Sequence, residues 1–160
     1  MSAFPQDPSY CDAHHRQRVL PLPSPRAITD PQTVLVVDDD SVFRQLEAKA
    51  LCQQGYNVLE ANSASEALRL AGTTANLHLL LTDFNMPGAD GLELTRQFRA
   101  LHPSAPVLMV SNSLPLIRHR VESLDRFAVL EKSSSFDELL EKVRTLLAEV
   151  TPLPFPGKDE

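Results

Sequence analysis

Short apolar runs alternate with amphipathic stretches through the middle of this chain of 160 residues. Val-Leu-Val-Val at 34–37 has no polar alternation, which is typical of a strand covered on both faces in a parallel sheet. Because parallel strands need crossover connections, this alternation favours an α/β fold, a doubly wound parallel sheet with helices on both faces. Five strands are predicted, at 34–37, 57–61, 77–82, 107–110 and 127–130.

A helical pattern follows each of the five strands. The second and fifth begin with Ser-x-x-Glu capping boxes, Ser63–Glu66 and Ser135–Glu138, in which hydroxyl and carboxylate satisfy free backbone amides. Gly55 and Gly72 are predicted stops for the first two helices, and Pro115 suits the start of the fourth. The third and fifth helices are expected at 91–100 and 136–150.

Proline usage predicts the domain boundaries. Six of the thirteen prolines fall in residues 1–32 and three in 152–156. Because proline removes backbone donors and fixes φ, we expect disordered tails at 1–32 and 151–160. The folded domain is expected at 33–150, and the roughly 42 residues outside it are too few for an added effector domain.

Composition and charge exclude several classes of function. Fifteen Lys plus Arg stand against twenty-one Asp plus Glu, giving a formal charge of −6, which argues against nucleic-acid binding through phosphate neutralisation. No apolar run approaches the roughly 20 residues of a membrane span. The two cysteines, Cys11 and Cys52, are too few for a disulfide framework, so we expect a reducing, cytoplasmic setting.

Acidic residues follow two of the predicted strands. Asp38, Asp39 and Asp40 come directly after the first strand, and Asp83 comes at the end of the third. Each acid alone could be a turn or helix-cap residue. At the carboxyl edge of one parallel sheet, however, they would converge and repel one another unless a cation is present. Oxygen ligands without nearby His or Cys favour Mg²⁺.

The fourth and fifth strands bring a hydroxyl and a cation to the same edge. Ser111 ends the fourth strand and Lys132 lies just past the fifth. A turn hydroxyl and a solvated surface lysine are the simpler interpretations. Together with a nucleophilic carboxylate and a metal site, however, they are the parts needed to accept a phosphoryl group.

Four segments resemble the receiver domain of two-component response regulators over essentially all of residues 33–150. The segments are VLVVDDD (34–40), LLLTDFNMPGADG (79–91), VLMVS (107–111) and VLEK (129–132). The resemblance implies a flavodoxin-like α/β fold, with a five-stranded parallel sheet of strand order 2-1-3-4-5 and five helices. It also implies a signalling domain that promotes its own phosphorylation and is not a turnover enzyme.

The resemblance implies a role for each residue at the strand ends. Asp83 would accept the phosphoryl group, Ser111 would be the switch hydroxyl, and Lys132 would contact the phosphoryl oxygens. The donor would be a histidine kinase or a histidine phosphotransfer protein. The implied Mg²⁺ ligands are Asp38, Asp39, Asp83 and the backbone carbonyl of Asn85.

Three residues depart from the pattern of this family. Ser133 follows the lysine where the family usually has proline, which leaves the direction of the lysine open. Val129 replaces the usual aromatic, so the rotamer switch of that ring is missing. Asn112 replaces a small residue, and its bulk could restrict access to Asp83. We expect phosphorylation to be retained and its coupling to output to be altered.

The function expected is that of a stand-alone receiver whose output is phosphorylation-dependent binding of a protein, without nucleic acid or membrane. A phosphate sink or phosphorelay intermediate is the alternative within the same family. A hydrolase with an aspartyl-phosphate intermediate, of the haloacid dehalogenase type, is less consistent, because its nucleophile follows the first strand. A degenerate scaffold receiver is disfavoured by the intact acids, hydroxyl and lysine.

Overall fold

The computed structural model describes residues 31–121 and 124–150, in which five strands alternate with five helices. The strands are β1 (Thr33–Val37), β2 (Asn57–Ala61), β3 (Leu79–Asp83), β4 (Val107–Ser111) and β5 (Phe127–Glu131). The helices are α1 (Ser41–Gln53), α2 (Ala64–Thr73), α3 (Gly91–Leu101), α4 (Leu114–Val121) and α5 (Phe136–Val150). The tails expected at 1–32 and 151–160 lie almost entirely outside the described residues.

All five strands are parallel and lie in the order β2-β1-β3-β4-β5. The flavodoxin-like α/β prediction is therefore confirmed. The chain moves from β1 to β2 on one side and then returns to β3 on the other, so strand order reverses at β1 and β3. In such sheets ligands bind beyond the carboxyl ends of the strands beside that reversal.

The apolar run of β1 is continuous because both faces of this central strand are covered. Val34 and Val36 pack in a core cluster with residues of α1 and α5, whereas Leu35 and Val37 pack in another with residues of α2 and α3. All four side chains are at most 1% exposed. Strand periodicity of two thus places alternate residues in the two layers.

The third strand differs in its bounds from the prediction. It begins at Leu79, where pairing with Val34 of β1 starts, and not at Leu77. Leu77 is buried in the core, so its apolar character reports packing rather than strand pairing. The strand then continues to Asp83, which pairs with Val110 of β4. The ladder therefore fixes the backbone of the acidic residue itself.

Local capping explains where the helices begin and end. The Ser63 and Ser135 hydroxyls each accept from a backbone N–H three residues later, at 3.2 Å, as the predicted capping boxes require. The Glu138 carboxylate accepts from Ser135 in return and completes its box, whereas that of Glu66 accepts from the N–H of Asn62. Gly55 has a φ of 93°, which favours glycine, and follows the end of α1 as predicted. Among the described residues, no helix combines the length and apolar character that a membrane crossing requires.

Candidate functional site

Three consecutive aspartates after β1 occupy three different environments. Asp40 is the N-cap of α1, and its carboxylate accepts from the backbone N–H groups of Val42 and Phe43 at 3.0 and 3.2 Å. Asp38 is 1% exposed and accepts from the backbone N–H of Asp40 through Oδ1 at 2.9 Å. Asp39 is exposed. The helix-cap interpretation thus applies to Asp40, while the Asp38 and Asp39 carboxylates remain available to a ligand.

Asp83 closes β3 and is 6% exposed. Burial raises the pKa of its carboxyl above the ordinary value, and the charge of Asp38 raises it further. The Lys132 ammonium and the backbone N–H of Asn85 act in the opposite direction but do not cancel the effect of burial. A cation placed at this carboxyl would lower the pKa and favour the charged, nucleophilic form.

Lys132 reaches the acidic residues despite the serine that follows it. Its Nζ lies 3.1 Å from Oδ2 of Asp38 and 3.4 Å from Oδ2 of Asp83. Burial lowers the pKa of this ammonium, but the hydrogen bonds and charges of the two carboxylates outweigh burial and raise it. The lysine backbone N–H also donates to the Ser111 carbonyl at 3.0 Å. The Lys132 side chain is therefore directed at the acidic residues, and its ammonium connects the ends of β1 and β3.

Asp38, Asp39 and Asp83 form the acidic cluster of this site. Each offers one carboxylate oxygen, and these oxygens all lie within 4.8 Å of one another. Three converging carboxylates with a single ammonium leave an excess of negative charge. Their all-oxygen donor set and partial exposure fit a hard divalent cation that keeps several waters, such as Mg²⁺.

Ser111 and Asn85 lie at the same edge of the sheet but are not equally engaged. Ser111 is fully buried at the end of β4, and its hydroxyl accepts from the backbone N–H of Ser113 at 3.0 Å. The hydroxyl oxygen is therefore engaged as an acceptor by the turn before α4, and its O–H is still free to donate. Asn85 has an exposed side chain in the loop after β3, and its backbone N–H faces the Asp83 carboxyl.

Gly91 has a role that sequence analysis gave only as a helix start. A Cβ at this position would lie 2.5 Å from the backbone oxygen of Asp83 and 3.1 Å from the Cα of Phe84. Glycine therefore lets α3 approach the acidic strand end closely. One sequence does not show that this glycine is required for a close contact, because glycine also occurs in turns and at helix ends.

Two residues of α1 were also missed by sequence analysis. The Phe43 ring centroid lies 4.7 Å from Nζ of Lys132, a cation–π distance. Glu47, one turn further along, is 3% exposed, and burial raises its pKa to about 8, with the charge of Asp38 adding to the effect. Because Glu47 follows Phe43 by four residues, it lies on the same apolar face of α1. A charged residue on that face could have indicated a buried acid from the sequence.

The remaining departures from the family pattern lie around β4 and β5. Val129 packs with Met109 and Ile117 beneath α4, in a cluster to which Phe127 contributes a ring. The Asn112 side chain is exposed. Its bulk is thus directed to the surface of the loop between β4 and α4.

Comparison with known proteins identifies the family. Residues 34–144 match the response regulator receiver domain. Response regulator MprA of Mycolicibacterium vanbaalenii is 36% identical over 124 residues, covering 76% of this chain and 53% of MprA. This chain therefore spans about half the length of the curated relatives it matches.

Solved structures give the same result. The receiver domain of the hybrid histidine kinase CckA is 32% identical, with a TM-score of 0.64 over 72% of this chain and 98% of that one. Response regulator TrrA of Thermotoga maritima, solved in complex with Mg²⁺–BeF, is 32% identical, with a TM-score of 0.65 and the same coverage. The chain belongs to the response regulator receiver domain family of two-component systems, a family of signalling domains.

Proposed function

We propose that this chain is a single-domain response regulator that accepts a phosphoryl group on Asp83 and signals by phosphorylation-dependent protein binding. The observation that carries the proposal is the Lys132 ammonium, which bridges Asp38 and Asp83 beside the exposed Asp39. A structural ion pair would need one acid and one base. Here three acids lie together, and one lysine pairs with two of them, at the edge of the sheet where ligands of this fold bind.

The proposed reaction is attack of an Asp83 carboxylate oxygen on the phosphorus of a phosphohistidine. The new bond joins the aspartate oxygen to phosphorus, and the bond from phosphorus to the histidine nitrogen breaks, so the imidazole leaves. Lys132 is placed to offset the charge of the incoming phosphoryl oxygens. The donor is accordingly a histidine kinase or a histidine phosphotransfer protein.

Mg²⁺ is the cofactor of this proposal. Asp38, Asp39, Asp83 and the backbone carbonyl of Asn85 would hold it, and the ion would offset repulsion between carboxylates and phosphoryl oxygens when bound. The acidic cluster supports this assignment through its oxygen-only donors. The Mg²⁺–BeF complex of the TrrA relative supports it as well.

The output of the proposed function is a protein contact made by the phosphorylated form. Ser111 is assigned as the switch hydroxyl because its bond to the Ser113 N–H lies directly before α4. A phosphoryl oxygen at Asp83 would accept the O–H of Ser111, and rotation of the serine side chain toward it would weaken the bond from the Ser113 N–H. Nucleic acid does not enter this proposal, because a net charge of −6 disfavours binding to its phosphates, and no membrane contact is part of it.

Intact mass spectrometry after incubation with acetyl phosphate tests the proposal. Wild type should gain one phosphoryl group with Mg²⁺ and almost none with EDTA, and Asp83→Asn should gain none. Asp90→Asn is the matched control, because Asp90 caps α3 by accepting from Glu93 and asparagine caps equally well. Labelling that persists in Asp83→Asn, or is lost in Asp90→Asn, would overturn the assignment.

A further inference from the structure

Glu47 is a buried acid that the proposed reaction does not use. It lies in α1 beside the buried Ala48 and Leu51, with 3% of its surface exposed. No hydrogen bond or ion pair joins its carboxyl group to another residue of the described part of the chain. Burial of an acid without a partner costs free energy, so its retention in the apolar face of α1 calls for a partner outside the protein atoms.

A small cavity adjoins this carboxyl group. Its volume is about 10 Å³, and Glu47 and Lys132 both line it. The apolar part of the wall includes Phe43 and Phe136, whose ring centroids are 6.4 Å apart. A cavity of this size has room for about one water molecule, and such waters bind to polar groups in the wall that lack other partners.

The Lys132 ammonium has one N–H donor beyond its two bonds to carboxylates, and its Nζ lies 4.7 Å from the Phe43 ring, which also lines the cavity. Of its three N–H donors, two are accounted for by Oδ2 of Asp38 and Oδ2 of Asp83. Every fully sealed side-chain polar atom of the described residues has a partner. The Glu47 oxygens have none, so they open onto space that a water can enter.

We propose that one buried water bridges Lys132 to Glu47, and that Glu47 is thereby a positioning residue for Lys132. The water accepts from the third N–H of the ammonium and donates to a carboxyl oxygen of Glu47. The role of Lys132 in phosphorylation rests on the proposed function, but the bridge itself does not. This bridge adds a tether on the α1 side of a lysine whose own segment is held by the bond from its backbone N–H to Ser111.

A double-mutant cycle separates positioning from a general structural effect. With Mg²⁺ and acetyl phosphate, Glu47→Leu should lower the labelling rate by about threefold to tenfold, the effect of losing one hydrogen bond of ordinary net strength. In a Lys132→Ala background the same change should have no further effect. Equal losses in both backgrounds, or no loss in wild type, would overturn the proposal.

The conservative variant and the control complete the kinetic test. Glu47→Gln should retain most of the wild-type rate, because its amide can bind the same water. Glu141→Gln removes a charge from the exposed face of α5, where Glu141 pairs with Arg144 at 2.7 Å, and should leave the rate unchanged. A loss in Glu47→Gln as large as that in Glu47→Leu would assign the effect to the charge alone and contradict the water bridge.

NMR of the metal-free protein tests the bridge without any phosphodonor. Resonances of the Lys132 side chain should shift further in Glu47→Leu, which removes the bridge, than in Glu47→Gln, which keeps it, and should stay in place in Glu141→Gln. Lys132 resonances that are unchanged in Glu47→Leu, or that shift as far in Glu47→Gln as in Glu47→Leu, would overturn the proposal even if phosphorylation proceeds. Failure of the wild-type protein to gain a phosphoryl group would instead contradict the proposed function. The NMR test would still decide whether the bridge exists.

Discussion

Three neighbouring aspartates differ in role because the backbone turns from strand to helix between them. Asp38 is held inward by its bond to the Asp40 N–H, Asp39 is turned to solvent, and Asp40 caps α1. The repeat of three identical residues therefore hides one structural residue and two candidate ligands. Position along the chain predicted this edge of the sheet for all three, and only the family resemblance separated Asp38 and Asp39, as implied ligands, from Asp40.

Asp39→Ala and Asp40→Ala should affect different properties of the protein, Mg²⁺ binding and stability. Asp39→Ala should weaken Mg²⁺ binding and leave the unfolding free energy of the metal-free protein within about 0.5 kcal/mol of wild type, as for an exposed residue. Asp40→Ala removes a cap and should lower that free energy by about 0.5–2 kcal/mol. Calorimetric Mg²⁺ titration and urea unfolding in EDTA measure the two quantities. If Asp39→Ala alone destabilised the protein strongly, the helix-cap role would belong to Asp39 and not to Asp40.

Glu47 makes the stability of the metal-free protein depend on pH. Its pKa is raised from 4.5 to about 8, so between these values the folded state holds a proton that the unfolded state has lost. The unfolding free energy should therefore fall as pH rises from about 4.5 to 8, by at most about 5 kcal/mol. Urea unfolding in EDTA at pH 5.5 to 8, a range of about two and a half units, measures the slope of the unfolding free energy against pH.

Glu47→Gln should reduce that slope, because glutamine does not titrate. Glu60→Gln is the matched control, since Glu60 is a partly exposed glutamate and its removal should leave the slope as in wild type. Equal slopes in wild type and Glu47→Gln would show that Glu47 is charged throughout this range.

At the scale of elements, the junction between β4 and α4 is where phosphorylation would be converted into movement. The Ser111 hydroxyl accepts from Ser113, and α4 packs on the sheet through Ile117 and Val121. Leu116, on the same helix, is 71% exposed. Release of the Ser111–Ser113 bond would free the first turn of α4 and change an apolar surface. Val129 supplies no ring to follow the movement.

Phosphorylation should therefore shift the isolated domain only partly. Moving a two-state population from 1:99 to 99:1 takes about 5.5 kcal/mol, whereas one hydrogen bond to a charged group contributes about 1.5–3 kcal/mol. Ser111→Ala should retain labelling at Asp83 and diminish the shift, and a partner should complete it. NMR shifts of α4 in the phosphorylated form test this. Complete conversion without a partner, unchanged in Ser111→Ala, would contradict this coupling.

The elements themselves were predictable to different degrees. Capping boxes and continuous apolar runs act locally, so α2, α5 and β1 follow from neighbouring residues. The bounds of β3 do not, because pairing with β1 decides where the strand begins and Leu77 is apolar for another reason. Likewise, the burial of Glu47 depends on the packing of α1 against distant segments such as Leu139 of α5.

At the scale of the whole molecule, the strand order brings the site together from four distant segments. Because β1 lies between β2 and β3, the acids after β1 and at the end of β3 become neighbours, with β4 and β5 following. Chemistry at strand ends was therefore predictable from the alternation of elements. The contact of Lys132 with Asp38 as well as Asp83 was not, since it depends on the reach of a side chain across two strands.

Locating the phosphoryl group on the chain tests the central claim most directly. After reaction with Mg²⁺ and acetyl phosphate, borohydride reduces an acyl phosphate on aspartate to homoserine, and peptide mass spectrometry then identifies the changed residue. The account predicts conversion at Asp83 and at no other aspartate. Conversion at Asp38 or Asp39, or a label on Ser111 that resists reduction, would contradict it.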